Sequence, residues 1–142
     1  MEGNVKNRFA HTVSVAPADI DELGHVNNTV YLRYAEEVAR AHSERQGLSL
    51  AAYQALGVVP VVRQHRITYF QSAVLGDALS VETRVQAFSG ARAGRHTRIY
   101  RERDRALLAE VETDWVWVSA ARGRPTRAPA AILEAFGVSA EG

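Results

Sequence analysis

The 142-residue sequence contains no cysteine. That excludes a disulfide framework and any zinc site built on thiolates. No apolar run approaches the ~20 residues that a membrane-crossing helix needs. The opening Met1-Glu2-Gly3-Asn4-Val5-Lys6-Asn7-Arg8 lacks the apolar stretch of a secretory leader, so a cytoplasmic location is the expectation. An excess of one charge is also missing. Lys and Arg number 17 against 16 Asp and Glu, a net charge of +1, which leaves no electrostatic footprint for nucleic acid or a membrane surface. There are no internal repeats and no low-complexity linkers. What is present is 46% hydrophobic and 23% charged residues, ordinary for one globular domain with a real core. A single domain over 1–142, with its core at about 8–136, is expected.

The patterning is mixed. Residues 8–16 alternate as a strand and stop at Pro17. From 27 to 45 the residues Val30, Tyr31, Tyr34, Ala35, Val38 and Ala41 or His42 recur at helical spacing, with Arg33, Glu36, Glu37, Arg40 and Glu44 on much of the other face. Gly47 is placed to stop that helix, and 50–56 reads as a short second one before Gly57. Strands follow at 58–70, 78–88, 95–103 and 106–120. Their turns fall at Gly76-Asp77, 89–94 and Asp104-Arg105. Residues 129–136 read as a closing helix.

The resulting order, β-α-(α)-β-β-β-β-α, is an α+β class. Four consecutive strands with short connections form an antiparallel sheet, and a sheet curled around the long helix buries the apolar faces of both. The last strand carries Trp115 and Trp117 on one face and Val116 and Val118 on the other. Two apolar faces point to a second subunit covering one of them.

The densest chemistry lies in 19–32, Asp19-Ile20-Asp21-Glu22-Leu23-Gly24-His25-Val26-Asn27-Asn28-Thr29-Val30-Tyr31-Leu32. Acids just ahead of a helix lie beside unpaired backbone N–H groups and the positive end of the helix dipole. One group can then attack while another stabilises a growing negative charge. Taken on its residues alone, Asp21 is as well suited to capping the helix as to catalysis. Asp19 suits a loop-holding role, and Asn27 and Asn28 suit capping and fixing the loop. Gly24 allows a close turn or a positive φ. His25 is placed to polarise a substrate, to orient Asp21 or to hold the loop. Calcium is excluded by spacing: D-x-D-x-x-G opens like an EF-hand loop, but its fifth position is Leu23 and its twelfth is Val30.

With that loop in this element order, the chain resembles the hotdog-fold acyl-CoA thioesterases of the 4-hydroxybenzoyl-CoA thioesterase type. The resemblance rests on Asp19-x-Asp21-x-x-Gly24-His25-Val26-Asn27-Asn28-x-x-Tyr31-Leu32 with Glu36-Glu37 and Arg40, on Ile67-Thr68-Tyr69 with Gly76-Asp77, and on Gly123-Arg124-Pro125. It implies a hotdog fold and Asp21 as the catalytic carboxylate, attacking an acyl-CoA thioester directly or through water. It further implies backbone N–H donors around Gly24, His25 and Val26 for the carbonyl oxygen, and no metal or other cofactor. Homodimers or homotetramers with active sites at the subunit interface are also implied. A departure from the family pattern, Val38-Ala39-Arg40 after the two acids, stops the transfer of a second acid from the helix. A hotdog hydratase is disfavoured, because Asp-x4-His fits neither Asp21 nor Asp19 relative to His25.

Tyr31, Gln64, Arg92 and Arg95 complete the expected substrate contacts. Tyr31 is also at core spacing, and Gln64 lies on a strand that reaches a neighbouring subunit's pocket; its neighbour His65 is assigned to structure. Arg92, Arg95 and Arg98 group around one turn, with Arg122, Arg124 and Arg127 around another. Such forks suit the phosphates of coenzyme A.

Overall fold

Alternation sets the first strand. In β1 (Arg8–Ser14) Phe9, His11 and Val13 turn inward while their neighbours are exposed. The computed structural model describes residues 5–86 and 88–141. The reading of Met1 to Asn4 as lacking a leader, and the assignment of Ala87 to a strand, fall outside them.

A 3₁₀ turn at Pro17–Asp19 leads through the acidic loop into α1 (Asn28–Arg45). Asn27 caps α1, its Oδ1 accepting the Thr29 N–H at 2.9 Å. One stripe of α1 is buried: Val30, Tyr31, Tyr34, Ala35, Val38 and His42. Gly47, at φ 82°, ends the helix, and Leu48 N–H reaches back to Ser43 O at 2.8 Å. The short α2 (Leu50–Leu56) is capped by Ser49 and ends at Gly57.

The strands are β2 (Val58–Tyr69), β3 (Ala78–Val85), β4 (Phe88–Ser89), β5 (Arg92–Arg101), β6 (Ala106–Ser119) and β7 (Ala140–Glu141), with α3 (Ala130–Phe136) between the last two. Antiparallel pairings run β1 to β3, β3 to β5, β5 to β6 and β6 to β2. The two-residue β4 pairs with β5 and, in parallel, with β7.

Several boundaries differ from the sequence reading: β1 ends at Ser14, not 16, and β5 at Arg101, not 103. β3 stops at Val85, and β5 starts three residues earlier than expected, at Arg92. The wide turn expected at 89–94 contracts because Gly90 adopts φ 60°, which lets Ser89 pair directly with Arg92. The turn at Asp104 is tight as expected: Asp104 Oδ1 accepts the Ala106 N–H at 3.1 Å.

Two apolar clusters form. Val30, Tyr31, Tyr34 and Val38 of α1 pack on Leu79, Val81, Ile99 and Leu108 of the sheet. At the other end Tyr53, Phe88, Trp115, Trp117, Ile132 and Phe136 gather between α2, α3 and the sheet. Both tryptophans face inward, while Val116 and Val118 on the opposite face are half-buried. β2 is an edge strand: among the described residues only β6 pairs with it, and Val61, Val62 and Tyr69 are 45%, 49% and 42% exposed. No helix among the described residues is long and apolar enough to cross a membrane.

Candidate active site

Asp19 ties the loop before α1 to the helix and to the chain ahead of it. Asp19 is buried. Its Oδ1 accepts from Arg33 Nη2 at 2.7 Å, and its Oδ2 accepts the Tyr34 hydroxyl at 2.9 Å and the Ala16 N–H at 3.1 Å. Burial pushes the Asp19 carboxyl up, but the bonds from Arg33, Ala16 and Tyr34 outweigh it and hold the group below the ordinary carboxylate range. Burial and the Asp19 carboxylate together push the Tyr34 phenol up, keeping it a donor. Asp19 O also accepts the Asn27 N–H at 2.8 Å.

Asp21 sits half-buried at the head of a small turn whose tip, 22–25, is exposed. Its N–H donates to His25 O at 2.8 Å, and its carbonyl accepts the Gly24 N–H at 3.0 Å. Gly24 takes φ 80° there, a conformation a side chain would strain. Asp21 Oδ1 accepts the Leu23 N–H at 2.9 Å and, more loosely, the His25 N–H at 3.4 Å. Oδ2 has no hydrogen-bond partner among the described residues. One oxygen is thus fixed by backbone while the other remains available to a proton or a substrate.

The expected carbonyl-oxygen donors are not equally placed. The Gly24 N–H is used within the turn, and the Val26 N–H goes to Ala73 O at 2.9 Å in the core. The His25 N–H has only its long bond to Asp21 Oδ1. The first helical N–H, that of Asn28, meets no protein acceptor among the described residues and lies at the positive end of α1. Asn27 is spent as the cap, its Oδ1 also taking the Thr29 hydroxyl at 2.8 Å. Asn28 O accepts the Tyr69 hydroxyl at 2.9 Å, which ties the loop to the C-terminal end of β2.

A second feature lies further along the same helix. A cavity of about 530 Å³ is walled by α1 from Ala35 onward, by α2, by β2 from Val59 to His65, and by inward residues of β5 and β6. Asp21 is not in its wall. Seven residues separate Asn28 from Ala35, an axial rise of ~10 Å. Within one chain, the loop and the cavity therefore occupy opposite halves of α1 and opposite ends of β2.

The expected substrate contacts divide accordingly. Tyr31 is buried. Its hydroxyl accepts the Ala73 N–H at 3.0 Å and its ring meets Tyr69 at 5.5 Å, so it braces the 70–77 connection. Gln64 is exposed and outside the cavity wall; His65, which was assigned to structure, is in it, with Nδ1 2.9 Å from Thr113 Oγ1. A one-residue slip of register between Val62 and Gln64 puts Val62 and His65 on the same side, a parity that counting alternate residues cannot supply. Glu36 and Arg40 also line the cavity, whereas Glu37 pairs with Arg33 at 3.7 Å.

The arginine group around one turn is not formed, because residues 92–101 are a strand. With a period of two, Arg92 and Arg98 face outward and Arg95 inward. Arg98 meets Glu110 at 3.4 Å, while Arg95 is 6% exposed. Arg95 Nη1 donates to His42 Nδ1 at 3.0 Å and to Thr83 Oγ1 at 3.2 Å. His42 Nε2 lies 2.8 Å from Lys6 O. A carbonyl only accepts, so Nε2 carries the proton and Nδ1 is the acceptor for Arg95.

Burial, with the Arg95 charge, lowers His42 to about 4 from its ordinary 6.5. The unfolded chain then binds a proton below pH 6.5 that the folded chain refuses until about pH 4. Stability is therefore expected to fall as pH drops through this window, by on the order of 3 kcal/mol for this one group. Denaturant melts at pH 7, 5.5 and 4.5 check this, and His42→Gln should flatten the slope.

Comparison with known proteins puts this geometry in context. Protein THEM6 of Danio rerio is 39% identical over 67 residues, covering 47% of this chain and 33% of that protein; the matched stretch is thus about a third of the curated relative's length. A solved 1,4-dihydroxy-2-naphthoyl-CoA thioesterase from Synechocystis superposes with a TM-score of 0.84 at 23% identity, over 92% of this chain and 96% of that one. A Staphylococcus aureus protein solved in complex with CoA gives 0.86 at 20% identity, over 96% and 86%. At such identities these structures establish the hotdog thioesterase fold. Residues 15–136 match the thioesterase-like superfamily, and the chain belongs to that superfamily.

Proposed function

We propose that this protein is a single hotdog domain that hydrolyses acyl-CoA thioesters to a carboxylic acid and coenzyme A, with Asp21 as its catalytic residue. The observation that carries the reading is the divided Asp21 carboxylate. Backbone N–H groups hold Oδ1, and Oδ2 has no protein partner among the described residues. The names of the solved neighbours, a naphthoyl-CoA thioesterase and a protein holding CoA, support the substrate class.

In the simplest course Oδ2 takes a proton from a water, whose oxygen adds to the thioester carbonyl. The negative charge that develops on the carbonyl oxygen is met by the N–H groups of His25 and Asn28 and by the helix dipole. Collapse of the adduct breaks the C–S bond and releases the thiolate of coenzyme A, which takes up the proton. Direct attack by Oδ2 gives the same products through an anhydride that water then cleaves.

The second part of the proposal is a homodimer in which the sheet curls around α1 in each subunit and the free edges of β2 pair. A twofold axis makes that pairing antiparallel. The Tyr69 end of one strand then lies beside the Val59 end of the other. Since Tyr69 holds the Asp21 loop and Val59 walls the cavity, the loop of one subunit comes to the cavity of its partner. The exposed valines of the unpaired strand support this, because such an edge seeks a partner. Val61→Lys is expected to raise the dimer dissociation constant about tenfold or more, read by sedimentation velocity; an unchanged dimer would place the interface elsewhere.

The activity is tested by thiol release across short, medium, long and aromatic acyl-CoAs. Hydrolysis of at least one is expected. Silence across the whole panel would overturn the coenzyme A reading in favour of a carrier-protein substrate or a binding role.

A further inference from the structure

We propose that the cavity beside α1 receives acyl groups that end in a carboxylate, and that Arg95 is the residue that binds it. This rests on the acyl-thioester reading above and names the substrate class within it.

The starting point is a charge without a counterpart. The Arg95 guanidinium is buried in the cavity wall, and no carboxylate among the described residues lies within ion-pairing distance of it. Its two hydrogen bonds go to neutral acceptors, His42 Nδ1 and Thr83 Oγ1, both from Nη1. Nε and Nη2 donate to no protein group among the described residues. Burial lowers Arg95 to about 10, which still leaves it charged at neutral pH. The guanidinium lies 5.8 Å from the ring centres of both Trp115 and Phe136.

A charge held in a largely buried wall is nearly always matched by an opposite one, so the unmatched Arg95 guanidinium beside this cavity describes an anionic occupant. The acids in the lining, Glu36 and Glu44, are on the exposed side of α1 and make no ion pair with Arg95. A purely aliphatic acyl chain would fill the aromatic part of the cavity and leave the guanidinium desolvated and uncompensated. A carboxylate meets it with the two parallel hydrogen bonds that a guanidinium fork is shaped to give. The volume of about 530 Å³ is within the usual range for small-molecule sites.

The test compares adipoyl-CoA with hexanoyl-CoA, which have the same chain length and differ at the far end by a carboxylate. Wild type is expected to show a kcat/KM about tenfold or more higher for adipoyl-CoA, expressed mainly in KM, as a charged hydrogen-bonded pair warrants. Arg95→Met should erase or reverse that preference, and Arg95→Lys should keep part of it. The wild-type comparison stands even if Arg95→Met does not fold. Equal or better use of hexanoyl-CoA would overturn the role of Arg95 while leaving the thioesterase reading intact. Failure to hydrolyse either, together with silence across the wider panel, would overturn both.

Discussion

Asp21→Asn is expected to lower kcat/KM for acyl-CoA hydrolysis by about 10³-fold, within the range for loss of a general base. The amide is nearly isosteric. Its oxygen still accepts the Leu23 and His25 N–H groups that Asp21 Oδ1 accepts now, so the turn and the entry to α1 are kept. What is lost is the charge and proton affinity at the second atom, which no donor among the described residues occupies. The melting temperature should therefore stay within about 1–2 °C of wild type, a shift worth less than ~1 kcal/mol for a domain of this size. Thiol release and a thermal melt on the same preparation read both. Turnover like wild type would remove Asp21 from the mechanism.

The neighbouring acid is expected to give the opposite pattern. Asp19→Ala should cost roughly 3 kcal/mol of stability, about 10 °C in melting temperature, through loss of a buried acceptor. Removing the carboxylate strands the buried Tyr34 hydroxyl and the Ala16 N–H that now bond it. Arg33, with 49% of its side chain exposed, is rehydrated and contributes little to the loss. Because the folded Asp19 carboxyl is held below its ordinary value, its contribution is complete above that value and fades as pH falls through the lower one. Denaturant unfolding of wild type and Asp19→Ala at pH 7 measures the effect. A difference below about 1 kcal/mol would show that the loop is anchored elsewhere.

On the proposed reading two acids two residues apart do different work, and the sequence separates them only in part. Local order was legible. The alternation of β1, the helical spacing from Val30 to Val38, the Asn27 cap and the Asp104 turn are short-range patterns, and the structure has them where the residues put them. What escaped depends on pairing across the chain. Arg95 reads as one of three arginines around a turn that could meet coenzyme A, because 92–94 reads as turn; Gly90 tightens that turn and extends the strand, and Arg95 lies on its inner face. A lone histidine on a strand reads as structure, and His65 does bond Thr113; that it also lines the cavity follows from a register slip in β2 that the residue pattern does not show. The N–H groups of Gly24 and Val26 looked available from sequence, yet their acceptors, Asp21 O and Ala73 O, are a matter of loop geometry.

Assembly gives the most direct test of the central claim, that Asp21 of one subunit acts on a thioester seated in its partner's cavity. Asp21→Asn is to be mixed with Ala39→Trp, which fills the cavity wall at Ala39, under conditions that exchange subunits. Each variant alone should be nearly inactive. In a mixed dimer one site would combine an intact Asp21 with an intact cavity, so random exchange should restore about a quarter of wild-type thiol release. Activity no greater than the sum of the two variants would contradict a shared site and return Asp21 and the cavity to separate roles.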